Sequence, residues 1–137
     1  MKVRAGSSGH PEPYGNFIGS SQVYTTARDL ARLGLLYLHD GVWNGERILP
    51  EGWVAYSVTP APTTTGAARP NGWGYGAQWW LFGEHVPNVP DDAFTSAGAR
   101  GQFTTVVPSR DLVVVRRGLD RIHRSSRLHS RIRRAMG

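Results

Sequence analysis

The run GQFTTVVPSRDLVVVRRG, residues 101–118, constrains the fold more than any other part of this chain. Two apolar stretches rich in Val, Thr and Phe flank Pro108-Ser109-Arg110-Asp111. Those four residues suit a tight turn of type I character, and the flanks suit strands. The pattern predicts antiparallel strands over 101–108 and 111–118. Leu112-Val113-Val114-Val115 does not alternate with polar residues, so the second strand is expected to be covered on both faces. A chain with such a hairpin must supply, or borrow, a layer on each side of its sheet.

Helical spacing supplies one such layer. In YTTARDLARLGLLYLHDG, Ala27, Leu30, Leu33, Gly34 and Tyr37 fall on one face, which predicts a helix over 27–39. Thr26 and Asp29 form the outline of a capping box, with Asp29 also near the positive end of the helix dipole. Gly41 is placed to stop the helix. Gly34 in mid-helix costs about 1 kcal/mol relative to Ala, and close approach by another backbone is a physical reason to keep it. Asn44-Gly45 signals a tight turn. Pro50 suits the first turn of a short helix over 50–58. The aromatic run 73–82 predicts a strand, in which Trp79 and Trp80 face opposite ways and both serve packing. Asp120 is placed to cap a helix over 120–135, with Ile122, Ser126, His129, Ile132 and Met136 along one stripe. Residues 1–22 are rich in Gly, Ser and Pro and read as irregular. The expected class is α+β, with a three-stranded antiparallel meander and a C-terminal helix. That small sheet lacks obvious cover for its apolar strand, which suggests further chain or a partner.

Composition closes off several chemistries. The chain has no Cys, which removes disulfides, thiolate metal sites and a Cys nucleophile. His10, His39, His85, His123 and His129 show no ligand spacing, and neither a metal nor another cofactor is expected. No apolar run reaches membrane-spanning length and no secretory signal is read, so the chain as given is expected to be cytoplasmic, without a membrane partner. The formal charge of +6 is concentrated at the end, where Arg116, Arg117, Arg121, Arg124, Arg127, Arg131, Arg133 and Arg134 crowd together. This block lacks interleaved aromatics and matches no nucleic-acid module, so a solvated helix face is expected. The competing reading is a non-catalytic module that binds anions or nucleic acid through this helix, with steep salt dependence.

The ordered motifs TTARDLARLGLLYLHDGVWNGERILPEGWV, GYGAQWWL and SAGARGQFTTVVPSRDLVVVRR resemble the C-terminal part of the β-lactamase-related serine hydrolases. That superfamily includes class C β-lactamases, D-alanyl-D-alanine peptidases, esterases and 6-aminohexanoate-oligomer hydrolases. The resemblance covers about residues 15–135 and implies a partial α-β-α sandwich of the β-lactamase/transpeptidase-like fold. The whole chain, 1–137, is then expected to be one C-terminal segment of such a domain.

The implied mechanism is acyl transfer on an amide, ester or β-lactam. A Ser-x-x-Lys serine attacks, and the lysine and a Tyr-x-Asn tyrosine move protons. A third motif, Lys/His-Thr-Gly or a variant, lines the pocket and lends a backbone amide to the oxyanion hole. By the resemblance, Ser96-Ala97-Gly98 stands at the third motif, with Ser96 where many members carry a cation, and Ala99 to Pro108 completes its strand. Gly98 leaves the backbone uncrowded. The Ala99 amide is the expected oxyanion donor, a group worth about 3–4 kcal/mol of barrier. Arg100 could lend positive charge, and Ser20 and Ser21 fall at the pocket rim. Tyr14-Gly15-Asn16 fits Tyr-x-Asn superficially and reads better as a turn. Lys2 is the one lysine among the 137 residues, and no serine stands three places before it. Without nucleophile and base, the remaining donors have nothing to stabilise. Acyl transfer by this chain alone is not expected, and a small-molecule substrate requires completion by further chain.

Overall fold

A computed structural model describes residues 25–62, 73–83, 86–119, 132 and 134–135. Helix α1, Ala27–Leu38, starts as its sequence predicts: the Asp29 amide donates to the Thr26 hydroxyl at 3.1 Å. The Gly41 amide then donates to Leu36 O at 2.7 Å and ends it. Strands β1, Val42–Trp43, and β2, Glu46–Arg47, form a separate hairpin. Asn44 and Gly45 both take positive φ, of 51° and 82°, as a primed two-residue turn requires. Helix α2, Trp53–Ser57, is shorter than the expected 50–58. A turn closed by the Trp53 amide on Pro50 O precedes it, and Gly52 takes φ 75°.

The main sheet is an antiparallel meander of five strands in chain order, not three: β3, Gly74–Tyr75; β4, Trp80–Leu81; β5, Phe94–Gly98; β6, Gln102–Val107; and β7, Leu112–Arg116. Two expected strands are in fact hairpins. The run 73–82 folds back because Gly76 N bonds Trp79 O at 2.8 Å and Ala77 N bonds Ser57 O at 2.9 Å. A side chain at Gly76 would collide with Ser57 O, so the turn sits hard on the end of α2. The expected single strand through Ser96 to Pro108 reverses at Ala99–Gly101, where Arg100 and Gly101 take φ of 59° and 84°. The Pro108–Arg110 turn is a single 3-10 turn, closed by Asp111 N on Pro108 O at 3.0 Å. Asp92 braces it, accepting from both the amide and hydroxyl of Ser109.

Period-two alternation divides the core between the two faces of this sheet. Phe94, Val106 and Trp79 pack with Tyr37 and Leu38 of α1 and with Val113. On the opposite face, Trp73, Phe82, Val86, Val89, Ala93, Phe103 and Val107 pack with Ile132. Trp79 and Trp80 do face opposite sides, and each packs against a core cluster. β7 is half-buried along its length, with Val113 toward α1 and Leu112 toward the Ile132 side. The result is α+β, with helix on one face and the Ile132 turn on the other. Of the expected C-terminal helix, residues 132, 134 and 135 are described and are helical; the rest, like residues 1–22, lies outside the described residues. Among the described residues no helix is long and apolar enough to cross a membrane.

Candidate functional site

The Ser96-Ala97-Gly98 segment sits where the sheet changes width. β4 pairs with β5 only at Phe94 and Thr95. Beyond them, Ser96, Ala97 and Gly98 pair with β6 on one side, opposite Thr104, Phe103 and Gln102. Their other edge meets no strand among the described residues. An open strand edge offers backbone donors and acceptors to an extended ligand. Ser96 and Ala97 are half-buried, whereas Gly98, Ala99 and Arg100 are exposed.

Alternation then sorts the side chains. Ala97 lies opposite Phe103 and packs against the core cluster that includes Ile132, so only its backbone faces the open edge. Ser96 shares a face with Thr104. A Cβ at Gly98 would stand 3.2 Å from the Gln102 Cβ, so the crowding that glycine avoids comes from the partner strand. Ala99, exposed, leads the turn that ends β5 at the tip of the hairpin. Arg100 holds the left-handed conformation normally left to Gly or Asn. Below this tip, Thr95 is buried and exchanges a hydrogen bond of 2.9 Å with the Thr105 hydroxyl, also reaching Thr104 O at 3.0 Å. Ser96, Ala97, Gly98 and Ala99 are therefore small residues at the end of a strand pair that is buried at Thr95, Thr104 and Thr105.

Sequence reasoning missed the ties beneath this tip. The Arg116 guanidinium donates to Gly101 O. The Gln102 side chain both donates to Gly118 O and accepts from Gly118 N. Arg117 donates to Thr25 O, just ahead of α1, at 2.8 Å. Two of the eight terminal arginines thus donate to backbone carbonyls, Arg116 half-buried and Arg117 exposed. The remaining six, Arg134 apart, lie outside the described residues, as do Ser20, Ser21 and Tyr14-Gly15-Asn16. Arg134 is exposed. Among the described residues no three His, Asp or Glu side chains gather as a metal site would need.

The β-lactamase family matches residues 2–116 of the chain. A 6-aminohexanoate-dimer hydrolase of Paenarthrobacter ureafaciens is 38% identical over an alignment of 100 residues, covering 69% of this chain and 24% of that protein. A solved structure from Bacillus anthracis, described as a candidate 6-aminohexanoate-dimer hydrolase, superposes with a TM-score of 0.58 at 28% identity. That likeness covers 82% of this chain and 27% of the other. The chain spans about a quarter of the length of these relatives.

Proposed function

The chain belongs to the β-lactamase family, and from that membership we propose that it supplies the oxyanion side of a serine hydrolase site, as a C-terminal segment of a larger catalytic unit. Ser96–Gly98 lines the substrate with its open edge, and the Ala99 amide receives the oxyanion of the tetrahedral intermediate. Serine attack on the acyl carbon forms one bond and places negative charge on the former carbonyl oxygen, where a preorganised amide is worth most. Collapse of that intermediate expels the amine or alcohol, and water then releases the acyl group. The attacking serine and its lysine base come from a Ser-x-x-Lys motif outside these 137 residues, whose one lysine is Lys2. A linear amide is the leading substrate class, since both relatives carry the name of an amide-dimer hydrolase. Esters and β-lactams are the alternatives. Arg100, exposed at the tip, is placed to attract a substrate carboxylate in the absence of a cation at Ser96.

The observation that carries this reading is the edge of β5 over Ser96–Gly98, which no strand among the described residues pairs, with Ala99 exposed at its end. Two assays test it, using 6-aminohexanoate dimer, a p-nitrophenyl ester and nitrocefin. The chain alone should give no turnover above buffer. Substituted for the matching region of the Paenarthrobacter ureafaciens hydrolase, it should support hydrolysis of at least one substrate. Turnover by the chain alone, or a folded but inactive hybrid, would count against the proposal.

A further inference from the structure

Among the described residues, no strand pairs with the tip that carries the Ala99 amide on its β4 side. β4 ends its pairing at Thr95, and Ala99–Gly101 is a turn with two consecutive residues at positive φ. An oxyanion donor is useful only if it is fixed before charge develops, because reorienting it during the reaction costs what it would contribute. Something must therefore lock this turn.

We propose that Arg116 and Gln102 are positioning residues that lock the Ala99 amide by clamping the β5–β6 turn onto the exit of β7; the inference rests on reading Ala99 as the oxyanion donor. Register places the two on opposite faces of the sheet. Arg116 lies opposite Phe103 and so shares the face of Ala97, while Gln102 lies opposite Gly98 and shares the face of Ser96. Arg116 takes the last carbonyl of the turn, Gly101 O, from one side. Gln102, the first residue after the turn, takes both backbone groups of Gly118 from the other. Gly118 joins the two grips. A Cβ there would meet the Arg116 guanidinium and stand 2.6 Å from Gly101 O, so only glycine lets the three groups close. The buried Gly101 is thus held through its own carbonyl and through its neighbour's side chain. These contacts cross fifteen and sixteen residues of sequence and all converge on one turn. Ordinary strand pairing already holds β6 to β7 from Phe103 to Val107, so the clamp adds nothing to that ladder and acts beyond its end.

Backbone 15N relaxation measured by NMR on the full chain tests the clamp. In Arg116→Met and Gln102→Ala, the order parameters of Ala99 and Arg100 should fall from about 0.85 to below about 0.6, while those of Trp80 and Val106 stay unchanged. The milder Gln102→Glu, which loses the donor to Gly118 O, should give an intermediate fall at the same two amides. Unchanged order parameters at Ala99, or an equal fall across the whole sheet, would overturn the proposal. In the hybrid hydrolase, the same variants should lower kcat about tenfold with KM within twofold. If Ala99→Pro lowers kcat there and the clamp variants do not, the positioning role is wrong. If Ala99→Pro leaves kcat unaltered while the order parameter of Ala99 still falls in the clamp variants, the clamp stands and the oxyanion assignment fails.

Discussion

Gly34 of α1 presses directly onto Val113 of β7: a Cβ at position 34 would stand 2.5 Å from Val113 Cγ1 and 3.4 Å from Thr104 Cγ2. The glycine is thus explained by a side chain of the neighbouring sheet, not by another backbone. Gly34→Ala gains about 1 kcal/mol of helix propensity but overpacks this contact at a cost of about 1–3 kcal/mol. Net destabilisation is expected in urea titration. Adding Val113→Ala, which vacates the space, should recover most of the overpacking cost. An additive double variant would show that the two residues do not meet as described.

Gly76→Ala should be more damaging. Its Cβ would strike the backbone oxygen of Ser57, which cannot swing aside as a side chain can. A loss of about 3 kcal/mol is expected, at the upper end for overpacking, with disruption centred on the β3–β4 hairpin. Trp fluorescence from Trp73, Trp79 and Trp80 reports that hairpin. A variant with unchanged urea midpoint would mean that the hairpin does not rest on α2.

Much of this architecture was legible in the sequence, and the reasons differ by element. Thr26 with Asp29, and Asn44 with Gly45, are local signals whose chemistry acts within four residues, so the cap and the turn follow directly. The hairpin through Pro108 and Asp111 was legible for the same reason. The turns at Gly76–Trp79 and Ala99–Gly101 were not, because their positive φ falls partly on Gln78 and Arg100, residue types that do not advertise it. Aromatic content in one case, and the motif's expected continuity in the other, suggested unbroken strands. In the candidate site, Ser96, Gly98 and Ala99 were named through family resemblance alone. The contacts of Gln102 and Arg116 could not be read, because they exist only once register brings residues fifteen or more positions apart to one turn.

The buried Thr95–Thr105 hydroxyl pair should behave asymmetrically. Thr95→Val removes a buried donor and leaves Thr105 short of a partner, costing about 1–3 kcal/mol. Replacing both by Val keeps the volume and removes both polar groups, so the double variant should cost less than the sum of the two single changes. Thermal melts of the four proteins decide this. Additive losses would mean that the hydroxyls act independently.

Acid stability should carry the mark of Asp29. Its carboxylate accepts from the Thr26 hydroxyl at 2.8 Å and from Arg32 at 2.6 Å, and these, Thr26 foremost, hold its pKa below the ordinary 3.8. The folded chain therefore binds this proton more weakly than the unfolded chain. The stabilisation is full above the ordinary value and is lost as pH falls through the lowered folded value. Urea midpoints across that acid limb should fall less steeply in Asp29→Asn than in the parent. Parallel slopes would show that the carboxylate does not contribute.

The oxyanion role of Ala99 is tested most directly by the kcat of the hybrid hydrolase carrying Ala99→Pro, which removes the amide hydrogen and also fixes φ near about −65°. With Ala99→Ser as the control that keeps the amide, kcat should fall about 100- to 1000-fold for proline and less than threefold for serine, with both hybrids folded. A folded Ala99→Pro hybrid that retains its kcat would contradict it.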